Sequence, residues 1–169
     1  MNYKRCMYFV EGPCEKQLID ALKAEPRLLF PGKVNVHNVI QEEIPRRVVN
    51  TIKAGTTVVF VFDTDVEKTD VLLKNITYVK KYAMQVKVVM LAQVRNFEDE
   101  IERSTDVKKA QELTKSSSVS GFKSDFCRLK VEECRRTLER HSIDVTVLWT
   151  KNPPDEFSFV EQNGDAIKL

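Results

Sequence analysis

The chain has 169 residues, 42% of them hydrophobic and 31% charged, and its formal net charge is +2. These values are typical of one soluble globular domain that is long enough to bury a core. No apolar run approaches the roughly 20 residues that a transmembrane helix needs, so a membrane-spanning protein is excluded. The near-neutral charge does not favour strong nonspecific nucleic-acid binding, although a local basic patch is compatible with it.

Cysteine and histidine usage bears on metal chemistry and location. The four cysteines lack the C-x-x-C spacing of a zinc site, and only two histidines are present. The N-terminal residues are not followed by the apolar segment and small-residue cleavage site of a signal peptide. We therefore expect a cytoplasmic protein without a zinc site, in which disulfides are not a structural feature.

The first part of the chain alternates between strand and helix patterns. Apolar spacing predicts strands at 4–10, 34–40, 56–62 and 86–91, and helices at 15–29, 45–55 and 70–83. The third strand is apolar on both faces, as expected for a central parallel strand. The βαβαβαβ order predicts an α/β fold with a mostly parallel central sheet, helices on both faces and right-handed crossovers.

The pattern changes after the fourth strand. We expect a charged helix over 96–113 and a serine-rich loop over 116–121. A long helix over 124–140 and a last short strand over 144–149 follow. The sequence has no internal repeat. It predicts one domain over 1–150 and a C-terminal tail over 151–169.

Two acidic clusters each follow a predicted strand. Glu11 and Glu15 come after the first strand, and Asp63 and Asp65 come after the third. Ligands bind beyond the carboxyl ends of strands in an open parallel sheet, so these carboxylates converge if the two strands are neighbours. Clustered carboxylates repel one another unless a cation joins them, which favours a divalent-metal site.

Each acid also has a purely structural interpretation. Glu11 and Glu15 suit the start of a helix, where the dipole favours negative charge, and Asp63 suits a cap of the next helix or turn. The stretch Asn96-Phe97-Glu98-Asp99-Glu100 follows the fourth strand at the same edge. Its acids, Glu98 among them, either complete the site or form an N-capped helix start.

Lys123 lies between the serine-rich loop and the last long helix. A lysine there could neutralise a phosphate, or it could be an ordinary surface residue with Ser124 as the helix N-cap. Arg95 has similar alternatives. Cys14 lies near a helix start but has no histidine near it in sequence, so we interpret it as incidental.

These residues resemble a Toprim domain, the family named for topoisomerases and primases that also includes nucleases. The Glu-Gly after strand one matches Glu11-Gly12, and the D-x-D motif matches Asp63-Thr64-Asp65. The pattern is most similar to the Toprim part of OLD-type nucleases. Their opening V-E-G-x-x-E motif resembles residues 10–15, and their later N-L-E-D motif resembles residues 96–99. A lysine before their last helix resembles Lys123. The similarity covers about 4–140 by motif order.

The resemblance implies a Rossmann-like three-layer Toprim fold and a metal-dependent nuclease acting on DNA or RNA. It implies Mg²⁺ or Mn²⁺ held by the acids, with catalysis by Glu11 and Lys123; the proposed metal ligands are Glu11, Glu15, Asp63, Asp65 and Glu98. No ATPase, topoisomerase tyrosine domain or primase zinc module accompanies the motifs, so we expect a small standalone Toprim domain. The alternative is a binding or regulatory subunit that acts only with a partner ATPase or nuclease.

Overall fold

Four parallel strands form the central sheet in the computed structural model, which describes residues 5–66 and 68–169. The strands are β1 (Cys6–Val10), β2 (Gly32–Val36), β3 (Thr57–Asp63) and β4 (Lys87–Gln93). The α-helices are α1 (Pro13–Lys23), α2 (Arg46–Val49), α3 (Asp70–Tyr82), α4 (Phe97–Ser104), α5 (Val119–Arg128) and α6 (Val131–Arg140). Three 3-10 helices cover Ala110–Thr114, Asp155–Phe157 and Gly164–Ile167.

The strand order is β2-β1-β3-β4, and every pairing is parallel. All seven residues of β3 are buried, which explains its continuous apolar and β-branched sequence. Edge strand β2 is half-exposed and correspondingly more polar. The predicted α/β class, with a parallel sheet flanked by helices in a Rossmann-like three-layer arrangement, is confirmed.

Alternate residues of the strands enter two separate cores. One face of the sheet, which includes Tyr8 and Val61, packs against α1, α4, α5 and α6. The other face, which includes Phe9 and Phe60, packs against α2 and α3. The period-2 alternation of strand side chains therefore decides which helical layer each residue contacts.

Several predicted boundaries in the first half are wrong by a few residues. Strand β2 begins two residues earlier than expected and ends four residues earlier, at Val36. It ends early because the Asn38 side chain accepts the backbone N–H groups of Ile40 and Gln41 and forms a turn. Helix α1 ends at Lys23 rather than at residue 29, and the backbone of Ala24 already has an extended conformation. Helix α2 is only four residues long and does not reach Gly55.

The expected helix over 96–113 is also wrong. Helix α4 stops at Ser104, where the hydroxyls of Ser104 and Thr105 hydrogen-bond to carbonyls of the preceding turn. Such bonds compete with continued helix. A short 3-10 helix then covers Ala110–Thr114.

The expected helix over 124–140 is two helices. Helix α5 begins at Val119, inside the predicted serine-rich loop, because the Ser118 side chain caps it by accepting the Gly121 N–H. The helix is interrupted at Leu129, whose carbonyl oxygen accepts a hydrogen bond from the Gln17 side-chain amide at 2.7 Å. The N-cap is therefore Ser118 and not Ser124, and Lys123 lies within a helix.

The expected strand over 144–149 is a series of turns. The Asp144 carboxylate accepts both the backbone N–H and the hydroxyl of Thr146, which is typical of a turn started by aspartate. The C-terminal segment 151–169 contributes to both cores. Phe157 and Val160 are buried on the sheet side that holds Phe9, whereas Ile167 is buried on the side that holds Tyr8. Gln162 makes two hydrogen bonds to the backbone of Ala92, at 2.9 and 2.7 Å.

Among the described residues, the helices include none with both the length and the apolar character needed to cross a membrane.

Candidate functional site at the strand ends

The carboxyl ends of β1 and β3 form the crevice at the centre of the sheet. These two strands are adjacent in the sheet. From β1 the chain continues to β2 on one side, and from β3 it continues to β4 on the other side. In α/β proteins, ligands bind in the crevice that opens where the direction of strand order reverses in this way. Glu11 directly follows β1, and Asp63 is the last residue of β3. The two are in contact, because the Asp63 N–H donates to Glu11 Oε2 at 3.2 Å.

Glu15 is held by the start of α1. Gly12 caps this helix, and its N–H donates to Glu15 Oε2 at 2.9 Å. The Glu15 side chain is buried, which raises its pKa, and the charge of Glu11 raises it further. Glu15 thus has the structural role of a first-turn acid and also lies within electrostatic range of the crevice.

Asp63 is the most perturbed acid of the crevice. Its side chain is 8% exposed, and its Oδ1 atom has no hydrogen-bond partner among the described residues. Burial, followed by the negative charges of Glu11, Glu15, Asp65 and Glu98, raises the pKa of Asp63 to about 9. The carboxyl group is therefore protonated near neutral pH in the free protein.

A lysine of the protein enters the same acidic crevice. Lys123 Nζ, on α5, lies 2.8 Å from Glu98 Oε1, on the first turn of α4. Partial burial works to lower the pKa of Lys123, but the hydrogen bond to Glu98 and the charges of Glu98 and Asp63 raise it above its usual value. The lysine is therefore charged and already neutralises one of the predicted metal ligands.

The other acids after β4 point elsewhere. Asn96 caps α4 by accepting the Asp99 N–H, as the N-cap interpretation expected. Asp99 pairs with Arg95 at 2.8 Å, and buried Glu100 accepts the backbone N–H of Trp149 at 2.6 Å. Only Glu98 of this trio reaches the crevice.

Asp65 lies two residues beyond β3 and is exposed. No described hydrogen bond or ion pair ties its carboxylate to Glu11 or Asp63, although its charge acts on Asp63. Glu11, Glu15, Asp63 and Lys123 line one cavity, whereas Asp65 and Glu98 both act on Asp63 through their charge.

A cavity of about 510 Å³ opens over this crevice. Its walls include Glu11, Asp63 and Lys123, and also Cys14, Cys127 and Arg128, which sequence reasoning did not assign to the site. Cys127 and Arg128 lie one helical turn beyond Lys123, so a correct start for α5 would have placed them near it. The aromatic residues Phe97, Phe122 and Phe126 pack together beneath, as expected for core residues.

The donor set suits a hard divalent cation. Every crevice acid offers carboxylate oxygens, and the unpartnered Oδ1 of Asp63 is a buried acceptor without a donor. Mg²⁺ commonly uses one or two carboxylates and keeps several waters. Within 5–66 and 68–169, however, no three His, Cys, Asp or Glu side chains are grouped around one point as metal ligands. A site with three or more protein ligands would therefore require side-chain rotation, and Glu98 would join it only after leaving Lys123.

None of the protein-family models, curated proteins or solved structures compared with the chain matches it.

Proposed function

We propose that this protein is a Mg²⁺- or Mn²⁺-dependent phosphodiester-cleaving enzyme of the Toprim class, a nuclease that acts on DNA or RNA. One observation supports this proposal above the others. A buried, partnerless Asp63 carboxyl oxygen lies at the strand ends, with Glu11 beside it and the charged Lys123 across the same cavity. An acid with so raised a pKa in a cleft is typical of a functional site.

Glu11, Glu15, Asp63, Asp65 and Glu98 are the residues that would hold the metal. When bound, the ion would lower the pKa of a water molecule and stabilise charge on the scissile phosphate. Asp63 would lose its proton on binding, because a cation restores the ordinary preference of a carboxyl for the ionised form. Glu15 Oε2 accepts the Gly12 N–H, so Glu15 would bind the ion through its other carboxylate oxygen.

Glu11 and Lys123 supply the proposed catalytic groups. Glu11 is half-buried at the strand end, where it can accept a proton from an attacking water. Lys123 would exchange Glu98 for a phosphate oxygen, because both are anions within reach of one ammonium group. That exchange frees Glu98 and puts a positive charge where negative charge develops in the transition state.

A second candidate is a Toprim-fold nucleic-acid-binding or regulatory subunit that works with a partner ATPase or nuclease. The Lys123–Glu98 ion pair favours it, because the crevice already contains its own cation. With Asp63 protonated as well, the cluster is partly neutralised without a metal. In that case the acids would maintain the fold and a binding surface.

A cleavage assay on the purified chain tests the first proposal against the second. Labelled single- and double-stranded DNA and RNA are incubated with Mg²⁺, Mn²⁺ or a chelator, using wild type, Glu11→Gln and Glu43→Gln. Glu43 is a matched control, because it is exposed on the opposite helical layer and pairs with Lys74. We expect metal-dependent cleavage by wild type and Glu43→Gln alone. Cleavage that persists in Glu11→Gln contradicts the assignment, and none on any substrate favours the regulatory subunit.

A further inference from the structure

Two cysteines face each other at the wall of the acidic cavity. Cys14 lies in the first turn of α1 and Cys127 in the last turn of α5. Their Sγ atoms are 3.0 Å apart although the residues are 113 positions apart in sequence, and both are thiols. Cys14 is 6% exposed, whereas Cys127 is partly exposed. Since both line the cavity, a small solute that enters it reaches the pair.

We infer that Cys14 and Cys127 form a reversible oxidation site whose substrate is a small hydroperoxide and whose product is an intramolecular disulfide. A disulfide needs sulfur atoms about 2.05 Å apart, so the two must approach by about 1 Å. The two sulfur atoms are already in contact, so this approach is the movement that bond formation requires of them.

The order of reaction follows from exposure. Cys14 is buried, whereas Cys127 is partly exposed and lines the cavity. Cys127 therefore meets the peroxide first and attacks it. Its sulfur bonds to one peroxide oxygen, the O–O bond breaks, and the other oxygen leaves as an alcohol or water after taking the proton. Cys127 is then a sulfenic acid.

The second step closes the disulfide. The Cys14 sulfur attacks the Cys127 sulfur, the S–O bond breaks, and the hydroxyl leaves as water with the Cys14 proton. In sum, two thiols and one hydroperoxide give one disulfide, one alcohol or water, and one further water. A dithiol reductant reverses the change by transferring two electrons and two protons to the pair.

The bond would act on the helix that carries Lys123. The Cys14 thiol lies 3.6 Å from the Lys123 carbonyl oxygen and donates to it, and Lys123 is one turn before Cys127 on α5. Oxidation removes that donor and fastens α5 to the start of α1, beside Glu15. The disulfide itself does not depend on the proposed function, but an effect of oxidation on cleavage does.

The test uses the full chain and hydrogen peroxide as the probe. Oxidised protein is digested without reduction, and linked peptides are identified by mass spectrometry. We expect a Cys14–Cys127 linkage, a loss of about 2 Da that dithiothreitol reverses, and a fall from four titratable thiols in the denatured chain to two. Cys127→Ser should abolish the linkage, whereas Cys6→Ser should retain it.

Competing outcomes would overturn the inference. Cys134 also lies within electrostatic range of Cys127, so a Cys127–Cys134 linkage would refute the assigned partner. Sulfinic acid at Cys127 without linkage, or a disulfide between two chains, would refute an intramolecular site. If the linkage forms but no nuclease activity exists in either redox state, the oxidation site stands and the proposed function fails.

Discussion

Replacing Asp63 by asparagine should stabilise the protein, and the gain should grow with pH. The pKa of Asp63 is raised from 3.8 to about 9 by burial and by the neighbouring carboxylates. The folded protein therefore keeps a proton at this position that the unfolded chain releases above about pH 4. Folding stability consequently falls as pH rises from about 4 to about 9, and asparagine, which does not ionise, removes that fall.

The size of the effect follows from the shift. Each unit of separation between two pKa values corresponds to about 1.4 kcal/mol, so the interval from 3.8 to pH 7 corresponds to about 4 kcal/mol. Rotation of Glu11 and entry of water relieve part of this cost in the folded state. We therefore expect Asp63→Asn to raise the free energy of unfolding by about 1–3 kcal/mol at pH 7, and by little at about pH 4.

Urea denaturation measures this directly. The protein has a single tryptophan, Trp149, which is buried and therefore reports unfolding by fluorescence. Curves for wild type and variant are recorded with a chelator at about pH 5, about pH 6.5 and about pH 8, and their difference cancels the other titrating groups. Glu43→Gln is the control, because Glu43 is exposed and pairs with Lys74 away from the crevice, so its replacement should change stability little at each pH.

One result would refute this reasoning. If Asp63→Asn differs from wild type by the same free energy at every pH, Asp63 does not keep a proton in the folded state. The crevice would then lack the carboxyl group with a strongly raised pKa on which the site assignment depends.

Three further substitutions test the site and the fold. Glu11→Gln should abolish cleavage and leave circular dichroism and stability unchanged or improved, because it relieves repulsion; loss of folding would make Glu11 structural. Lys123→Ala should lower turnover about a hundred- to a thousandfold, equivalent to about 2.7–4 kcal/mol. Stability should be nearly unchanged, and metal affinity should be unchanged or higher because Glu98 loses its ion-pair partner. Lys130→Ala, at the neighbouring helix cap, should stay within a fewfold, and similar kinetics for both would contradict the role. Gly32→Ala should destabilise by about 1–3 kcal/mol in urea, because its Cβ would lie 2.2 Å from the Cys6 carbonyl oxygen; an unchanged midpoint would contradict the packing.

The sheet was predictable from the sequence because its signals are local and strong. The run of apolar residues in β3 is typical of a buried parallel strand, and Gly12-Pro13 is typical of the end of a strand and the start of a helix. The adjacency of β1 and β3, which brings Glu11 to Asp63, was a condition of the site prediction rather than a prediction itself, and the structure meets that condition.

The helical second half was less predictable because its boundaries depend on contacts from distant residues. The break at Leu129 depends on the side chain of Gln17, more than a hundred residues earlier. Sequence periodicity carries no information about such a tertiary hydrogen bond. The start of α5 is set locally instead: Ser118 caps the helix by accepting the Gly121 N–H, and several serines in this stretch could serve as the cap.

Within the site, residue types were informative and side-chain partners were not. The acids of 98–100 are alike in sequence, yet only Glu98 faces the crevice, while Glu100 is committed to the Trp149 backbone. The approach of Cys127 to Cys14 depends on the packing of α5 against α1 and has no sequence signal.

Calorimetric titration with Mn²⁺ tests the central claim most directly, namely that the crevice acids bind a divalent cation. Wild type should bind with saturation near neutral pH and release up to about one proton per ion, since Asp63 must ionise. That release is detected by repeating the titration in two buffers of different ionisation enthalpy. The Asp63→Asn/Asp65→Asn double variant should neither bind tightly nor release the proton. Equal binding by the double variant, or none by wild type, would contradict the account.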